Sequence, residues 1–585
     1  MRYGDSDGFA IDGERPTLWR YRDYVIRTFN EDRPIDRFIR EQLAGDETGG
    51  GSEGLVATGF YRLGPWEADN MTPERREQDF LNEITSAVGT AFLGLTIGCA
   101  RCHDHKYDPI TQKDFYKLQA FLKPLKRSRV QAAFGDGELS AAVGRRKVEA
   151  EGEREYRRQA LAEFRTTLKQ TLAQARSADG ATVSDKDLDE ALKKKDEPFS
   201  EKQRKQHKEL KAAVDEFKEA ERYAATACTI ENPKGDATVP ATHVLLNGDV
   251  FSPGEKVTPG FLSAVEPLSD ALSRRVAKAG ETAAGRRRVL AEWVASPGNP
   301  LTARVFVNRV WQQHMGQGLV ATANDFGKNG AGVSHPDLLD FLASRFIADG
   351  WRLKPLHRLL VLSNTYRMSS THPDRQACME VDPDNRLCWH GAYRRLESEA
   401  LRDAMLAVSG SLDFETGGPG LFEKLPEQMG AKYPFFTWTP SSEQQRRRRS
   451  IYMFQRRNLM HPMMAVFDAA EMSESCEQRK NSVTAPQALT LLNGAFAQEV
   501  SDRLARRVAT EAAGGPGAQV DHLFRLAFNR PPRTDEVELC MRFLDTKRAM
   551  HEARREARDG APAAHLALRD LCLAVINANE FLYLD

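Results

Sequence analysis

The sequence predicts a mainly α-helical, multi-domain protein with a small strand-containing module and a protruding helical hairpin. Its 585 residues exceed what a single hydrophobic core usually accommodates. Apolar residues recur at helical spacing along most of the chain, and two stretches with a different composition interrupt this pattern. These changes predict four parts: a helical domain over 1–137, a charged hairpin over 138–226, a β-containing module over 227–282 and a helical domain over 283–585.

The first part contains two predicted helices joined by a short connection. Residues 79–95 place their apolar side chains on one face of a helix, and Gly98 is the predicted stop signal. The next helix is predicted to begin after Thr111, which with Asp114 has the pattern of a capping box. Residues 99–110 therefore connect two helices.

The second part is rich in Lys, Arg, Glu, Gln and Ala, and we expect two long antiparallel helices that form a coiled-coil-like hairpin. One narrow stripe of leucine and phenylalanine spans 161–172, another apolar stripe spans 210–217, and a polar stretch with Gly180 and Pro198 separates them. Residues 237–262 instead hold β-branched runs with Asn-Gly-Asp and Pro-Gly turns, which predict short strands. Helical periodicity returns at 283 and continues to a last predicted helix over 565–581.

Charge and hydropathy exclude two classes of partner. Lys plus Arg and Asp plus Glu balance at 83 each, so no overall field attracts nucleic acid or an anionic membrane. No run approaches the roughly 18 apolar residues of a spanning helix, so no transmembrane segment is predicted.

Residues 1–16 lack the apolar core of a signal peptide and resemble the interior of a domain. We therefore expect an upstream segment to carry an export signal.

The chemistry-bearing motif is Cys99-Ala100-Arg101-Cys102-His103, the pattern of c-type haem attachment. The two thiols are spaced to add across the two vinyl groups of one porphyrin, and His103 then becomes the proximal ligand of the iron. The predicted cofactor is thus haem c bound by Cys99, Cys102 and His103, with His103 as the metal ligand. Two alternatives stay open: a zinc site formed by some of Cys99, Cys102, His103 and His105, and a redox-active thiol pair. The sequence has neither the second Cys-x-x-Cys typical of structural zinc sites nor a thioredoxin-like βαβ context.

The sixth ligand of the iron is left open by the sequence. Methionines and histidines of the 283–585 part are the candidates, and we expect the distal ligand to come from that part. The candidates are Met453, Met460, Met463, Met464, His314, His335, His357, His390 and His461. Directly after the motif, Asp104, His105, Lys106 and Asp108 are either proton donors and acceptors or anchors of the loop.

Longer stretches resemble a known pair of families. Residues 94–109 are similar to the signature of one of two domain families of unknown function that occur together in large planctomycete proteins (the PSCyt and PSD type). The second family is similar to residues 283–585. Its matching stretches are 299–311, 334–339, 363–367, 395–405 and 577–583. Such proteins also carry an N-terminal cytochrome c domain, which is not in this sequence.

The resemblance implies an exported, haem-linked protein in the periplasm or another extracytoplasmic space, and it supplies no catalytic residues beyond the motif. We expect a redox role, either electron transfer or oxidation of a substrate such as a polysaccharide, as in a haem-dependent oxidoreductase. The partner is then a redox protein or the upstream cytochrome c domain. The alternative is a non-redox hydrolase or a scaffold that binds anionic polymers, in which a zinc site is structural.

Two weaker patterns suggest binding. Asp5, Asp7 and Asp12 around Gly8 suggest either a loop for a hard cation or ordinary turn chemistry, because the ordered calcium pattern is missing. The run 446–449, followed by Arg456 and Arg457, is either a solvated face or a surface that recognises a sulfated or carboxylated polymer, such as an anionic polysaccharide.

Overall fold

The protein is mainly α-helical, as the sequence predicts. The computed structural model describes residues 2–9, 12–15, 17–67, 71–131, 158, 161–175, 183–194, 196–201, 203–204, 206–208, 210–211, 226–231, 239–265, 270–279, 283–426, 429, 438, 440–553 and 561–584. Residues 1–128 and 229–585 form one compact unit, and residues 129–228 form another. The division into four parts stays a prediction. In the described residues, no helix is long and apolar enough to cross a membrane.

Five α-helices precede the first strand. They are α1 (Trp19–Asn30), α2 (Ile35–Ala44), α3 (Gly51–Ala57), α4 (Pro73–Val88) and α5 (Gln112–Ala120). Single turns of 3-10 helix lie at Thr58–Arg62 and Ile97–Arg101, and a π turn extends α4 over Gly89–Leu93. Helix α5 begins with the predicted capping box: the Asp114 amide donates to Thr111 Oγ1 over 3.1 Å, and the Thr111 amide donates to Asp114 Oδ2 over 3.0 Å.

The predicted stop signal of the helix over 79–95 is wrong in one respect. The chain turns at Gly94, which has a left-handed φ of 60°, while Gly98 lies inside the following 3-10 turn. A Cβ atom at position 94 would lie 2.8 Å from Val305 Cγ2, so a distant helix approaches the backbone there.

The second unit contains helix α6 (161–175) and helix α7 (Asp185–Lys193). Leu168 and Leu172 of α6 pack against Leu188 and Ala191 of α7 in a small hydrophobic core. The sequence predicts a polar stretch without a helix between two long helices, and helix α7 lies in that stretch. This helix forms because Ser184 caps it and its few apolar residues pack against α6. Residues 138–157 and 212–225 of the predicted hairpin lie outside the described residues, so Val214 and Phe217 of its second stripe do too.

The strands within the described residues form three two-stranded sheets. Their strands are β1 (Lys126–Gln131), β2 (Thr226–Glu231), β3 (Thr242–Leu245), β4 (Pro253–Val257), β5 (Arg394–Arg395) and β6 (Tyr583–Leu584), which pair as β1–β2, β3–β4 and β5–β6. Strands β3 and β4 are antiparallel, and Asn247 and Gly248 between them both have positive φ. This hairpin is the strand-containing module that the sequence predicts, turned by the expected Asn-Gly pair.

The remaining helices follow strand β4. The helices are α8 (Asp270–Ala279), α9 (Arg286–Val294), α10 (Thr302–Met315), α11 (Pro336–Ala348), α12 (Leu353–Val361), α13 (Arg375–Val381), α14 (Ser398–Val408), α15 (Glu443–Arg446), α16 (Pro462–Val466), α17 (Ala485–Asn493), α18 (Ala495–Glu511), α19 (Pro516–Phe528), α20 (Thr534–Ala553), α21 (Ala563–Ile576) and α22 (Asn579–Leu582). Helices α14 and α16–α22 share one large hydrophobic core.

The N-terminal segment is bound to the C-terminal half through backbone hydrogen bonds and arginine side chains. The Asp5 amide donates to the Gln455 carbonyl over 2.7 Å, and Arg457 Nε donates to the Ser6 carbonyl over 2.9 Å. Arg448 and Arg456 are 6% and 1% exposed, so the prediction of a solvated face is wrong for these two members of the arginine run. Their guanidinium groups lie inside the unit because they pair with groups more than thirty residues away in sequence.

The N-terminal aspartates show ordinary turn and anchoring contacts. Asp12 Oδ1 accepts from the Gly8 amide over 2.7 Å, which closes a turn. Asp5 accepts from the Gln455 amide over 2.9 Å, and Asp7 pairs with Arg15 over 2.8 Å. These contacts occupy the carboxylates with donors from the chain itself.

Candidate functional site

The Cys-x-x-Cys-His motif lies on the 3-10 turn Ile97–Arg101 and the residues just after it. Ile97 and Ala100 are fully buried and hold the turn to the core, whereas Cys99 and His103 are exposed and Cys102 is partly exposed. Both cysteines are free thiols. The turn therefore presents three of its chemically active side chains, Cys99, Cys102 and His103, toward the surface of the unit.

The ring of His103 has a defined hydrogen-bond arrangement. Its Nδ1 atom lies 2.6 Å from the carbonyl oxygen of Asp104. Because a carbonyl only accepts, Nδ1 carries the proton and the lone pair belongs to Nε2. Histidines that bind metals through one ring nitrogen usually donate the other N–H to a carbonyl or carboxylate in this way.

His105 has the opposite environment. It is buried, its Nδ1 accepts from the Asp108 amide over 2.9 Å, and its Nε2 lies 3.4 Å from Thr96 Oγ1. Both ring nitrogens are thus used inside the loop, which supports the anchoring interpretation of His105 over the proton-relay one. In the described part of the chain, no three His, Cys, Asp or Glu side chains come close enough to hold a metal ion. A zinc site that included His105 would require this ring to leave these contacts.

Two contacts fix this loop to the C-terminal half. The Lys328 amide donates to Asp108 Oδ1 over 2.7 Å, and the Phe326 amide donates to the Gly94 carbonyl over 2.7 Å. Gly327 lies so close that a Cβ atom there would be 2.2 Å from Asp108 Oδ2. The ends of the motif segment are therefore held by a loop more than two hundred residues later in the chain.

The β3–β4 hairpin covers the other side of the motif. A Cβ atom at Gly248 would lie 2.7 Å from Cys102 Sγ, so the hairpin turn touches this thiol. Gln112 Nε2 joins the two elements by donating to the Arg101 carbonyl over 3.0 Å and to the Leu245 carbonyl over 2.8 Å. Leu246 and Phe251 on the same hairpin are each 55% exposed.

Tyr116 of α5 supports the same turn from below. Its hydroxyl donates to the Arg101 carbonyl over 3.0 Å. Burial, followed by the nearby Cys102 thiol, raises the pKa of Tyr116 to about 12. The phenol therefore keeps its proton at neutral pH and remains a donor that fixes the turn.

The candidate distal ligands are placed elsewhere. Met463 packs in the large C-terminal core, and Met453, Met460 and Met464 pack in a second hydrophobic cluster. His314 and His357 are hydrogen-bonded to each other over 2.7 Å. Among the described residues, no hydrogen bond, ion pair or ring contact joins any of the nine candidates to residues 99–105, so the source of a distal ligand stays a prediction.

Sequence reasoning missed the residues that hold the motif in place. Gln112, Gly248 and Lys328 make these contacts, and no local pattern marks Gln112 or Lys328. The Asn-Gly pair signals a hairpin turn, but nothing in the sequence indicates that this turn lies against Cys102.

Comparison with known families gives two matches. Residues 1–127 match the PSCyt2 family model and residues 286–544 match the PSD1 family model, each described as a protein of unknown function (DUF1549 and DUF1553). Searches of curated proteins and of solved structures gave no match. The family pair is the one that the sequence resembles.

Proposed function

Because the chain belongs to the paired PSCyt2 and PSD1 families, which are associated with cytochrome c proteins, we propose that it is an exported c-type haem protein with a redox role. The observation that carries this proposal is the orientation of His103. Its Nδ1 donates to the Asp104 carbonyl, which leaves Nε2 with a free lone pair on an exposed ring. Two exposed or partly exposed thiols lie within four residues of this nitrogen in sequence.

Attachment needs no external oxidant. Each S–H of Cys99 and Cys102 adds across one vinyl C=C of the porphyrin: sulfur bonds to one carbon, and hydrogen ends on the other. The exposed Cys99 is accessible without any movement, while Cys102 lies against Gly248. His103 would hold the iron through Nε2, and the bound haem would supply one-electron exchange between ferric and ferrous iron.

Residues around the motif would hold it in place and contact the bound haem. The anchors at Asp108 and Gly94 hold the motif segment against the core, which limits the movement of His103 after haem is bound. Leu246 is exposed on the same hairpin as Gly248, whose turn lies against Cys102, and would pack on the apolar porphyrin edge.

The proposal includes location and partners. Covalent haem attachment is chemistry of the space outside the cytoplasm, so we place the chain in the periplasm or an equivalent compartment. Its task is electron transfer or the oxidation of a substrate such as a polysaccharide, and its partner is a redox protein or an upstream cytochrome c domain. A zinc-stabilised, non-redox protein is the alternative outcome of the test.

The test is a redox titration of the purified chain after export in cells with haem-maturation machinery. We expect visible absorption bands that change reversibly on reduction with dithionite and reoxidation. The double variant Cys99→Ser/Cys102→Ser should lose these bands, while Cys476→Ser, which removes an exposed thiol outside the motif, should keep them. A wild-type chain without such bands but with one zinc per chain by elemental analysis would favour the alternative.

A further inference from the structure

A separate cavity lies at the C-terminal end of helix α10. Its volume is about 920 Å³, and its lining comes mainly from 311–319, 384–397 and 476–481. Small-molecule sites usually measure about 300–1,000 Å³, so this cavity has room for a ligand of that class. No residue of the haem motif lines it, and its contents are therefore independent of the proposed haem function.

The charges in this cavity are only partly neutralised. Arg395 pairs with Asp468 over 2.6 Å, and Arg479 pairs with Glu399 over 2.5 Å. Three further cations that line the cavity, Arg386, Arg394 and Lys480, have no ion pair within the part of the chain that the structure describes. The lining acids differ in their partners. Glu397 lies 3.6 Å from Arg479, and Glu477 accepts from the Asn324 amide over 3.3 Å. Asp384 has no ion pair among the described residues.

Two buried donors on lining residues lack acceptors. Arg395 Nη1 and Gln312 Nε2 are inaccessible to solvent and have no hydrogen-bond partner among the described residues. Buried donors are seldom left unpaired in folded proteins. Both atoms belong to side chains that line the cavity, so a small rotation of either side chain would let an oxygen atom of a ligand accept from it.

The aromatic lining suits a ring with an apolar face. Tyr366 is 43% exposed and its ring meets the ring of His314 edge-on, with 5.5 Å between centroids. Burial, followed by His357 and Arg394, lowers the pKa of His314, so this imidazole is neutral at pH 7 and acts as a hydrogen-bonding group rather than a cation. Tyr393 is 51% exposed and stacks on Tyr583.

We propose that this cavity binds an anionic sugar, a hexose ring that carries a carboxylate or sulfate group. Arg386, Arg394 and Lys480 face the anionic group, the donors of Gln312 and Arg395 bind ring hydroxyls after a small adjustment, and Tyr366 packs against the ring. Guanidinium groups recognise both carboxylate and sulfate. The test therefore includes one sugar that carries each group.

The test is calorimetric titration of the full chain with glucuronic acid, glucose 6-sulfate and neutral glucose. We expect one or both anionic sugars to bind, at least tenfold more tightly than glucose, and more weakly as salt rises from 0.05 to 0.5 M. The anionic sugar that binds more tightly shows whether carboxylate or sulfate is the preferred group.

The charge variant is Arg386→Gln/Lys480→Gln, whose two side chains are exposed and carry no ion pair in the described structure. It should weaken binding of the anionic sugar at least tenfold with an unchanged melting temperature. The matched control Arg358→Gln/Arg375→Gln removes two exposed cations that do not line the cavity and should bind as the wild type does. Equal binding of all three sugars, no binding of either anionic sugar, or equal losses in both double variants would overturn the proposal.

Discussion

His103 and His105 lie two residues apart, and their rings have opposite environments. His103 is exposed and keeps Nε2 free, whereas His105 is buried and uses both ring nitrogens inside its own loop. The path of the loop explains the difference. The chain turns back at residue 105, where the His105 amide donates to the Ile110 carbonyl over 2.8 Å. One histidine is thus available to a cofactor, and the other stabilises the loop that presents it.

The stability of the cofactor-free chain should distinguish these roles. His105→Ala leaves the Asp108 amide without its acceptor in a buried loop, and we expect a loss of about 1–3 kcal/mol in the free energy of unfolding. His103→Ala removes an exposed ring and should change stability by less than about 0.5 kcal/mol. Denaturant unfolding of both variants measures the difference, and equal losses would show that His103 is structural too.

In the haem-loaded protein the order of effects should reverse. If His103 is the proximal ligand as proposed, His103→Ala should change the spin state of the iron and weaken haem retention. His105→Ala should leave the axial ligation intact. Resonance Raman or electron paramagnetic resonance spectra of the two variants check this, and a changed coordination in His105→Ala alone would require a site built on Cys99, Cys102 and His105.

At the scale of elements, the motif turn is held between a β-hairpin and a loop of the C-terminal half. Gly248 of the hairpin turn has a φ of 75° and lies against Cys102, while Lys328 of the distant loop binds Asp108. The hairpin position allows no side chain, because a Cβ atom would be both strained and too close to sulfur. The hairpin therefore controls how far the second thiol is covered.

Gly248→Ala tests this control. The left-handed backbone costs a non-glycine residue roughly 1–2 kcal/mol, and the added methyl group must displace the Cys102 thiol. In the wild type we expect iodoacetamide to alkylate the exposed Cys99 faster than Cys102, and in Gly248→Ala we expect the reactivity of Cys102 to rise toward that of Cys99. Peptide mass spectrometry measures both rates.

Gly332→Ala is the matched control for this substitution, since nothing lies within 4 Å of a Cβ atom there. It should leave both alkylation rates unchanged. An unchanged ratio of the two rates in Gly248→Ala would show that the hairpin does not cover Cys102.

The elements that the sequence predicts well depend on neighbours in the chain. The capping box at Thr111 and Asp114 and the turn at Asn247 and Gly248 are local patterns, and both are present. The helix stop at Gly94 could not be predicted in the same way, because its cause is the approach of Val305 from helix α10. Local patterns carry no information about such distant partners.

The same limit applies to the site. The motif itself is readable because its five residues are consecutive, and their mutual spacing is the signal. The burial of Arg456 depends on partners more than four hundred residues earlier in the chain, and the contact of Cys102 with Gly248 depends on a later hairpin. Composition contains no information about these distant partners, so it predicted a solvent-exposed arginine run.

At the scale of the whole molecule, residues 1–128 and 229–585 belong to one compact unit. The match to PSCyt2 and the match to PSD1 both fall within this unit, and hydrogen bonds such as that from Lys328 to Asp108 join them. The two family regions should therefore unfold together, while residues 129–228 form a unit with a small core of their own.

A deletion checks this organisation. Replacing residues 138–226 by a short Gly/Ser bridge removes most of the second unit, so the melting transition of the remaining unit and any haem spectrum should stay nearly unchanged. Differential scanning calorimetry and visible spectroscopy of the shortened chain measure both. Insoluble protein, or a melting temperature lowered by many degrees, would show that the second unit is required for the fold.

The central claim is that Cys99, Cys102 and His103 bind haem covalently. The most direct measurement is the intact mass of the chain, denatured after export in cells with haem-maturation machinery, together with its pyridine haemochrome spectrum. We predict a mass increase equal to one haem per chain and the spectrum of a haem with two thioether bonds, both absent from Cys99→Ser/Cys102→Ser. An unmodified mass, in cells that mature a co-expressed c-type cytochrome fully, would contradict the account.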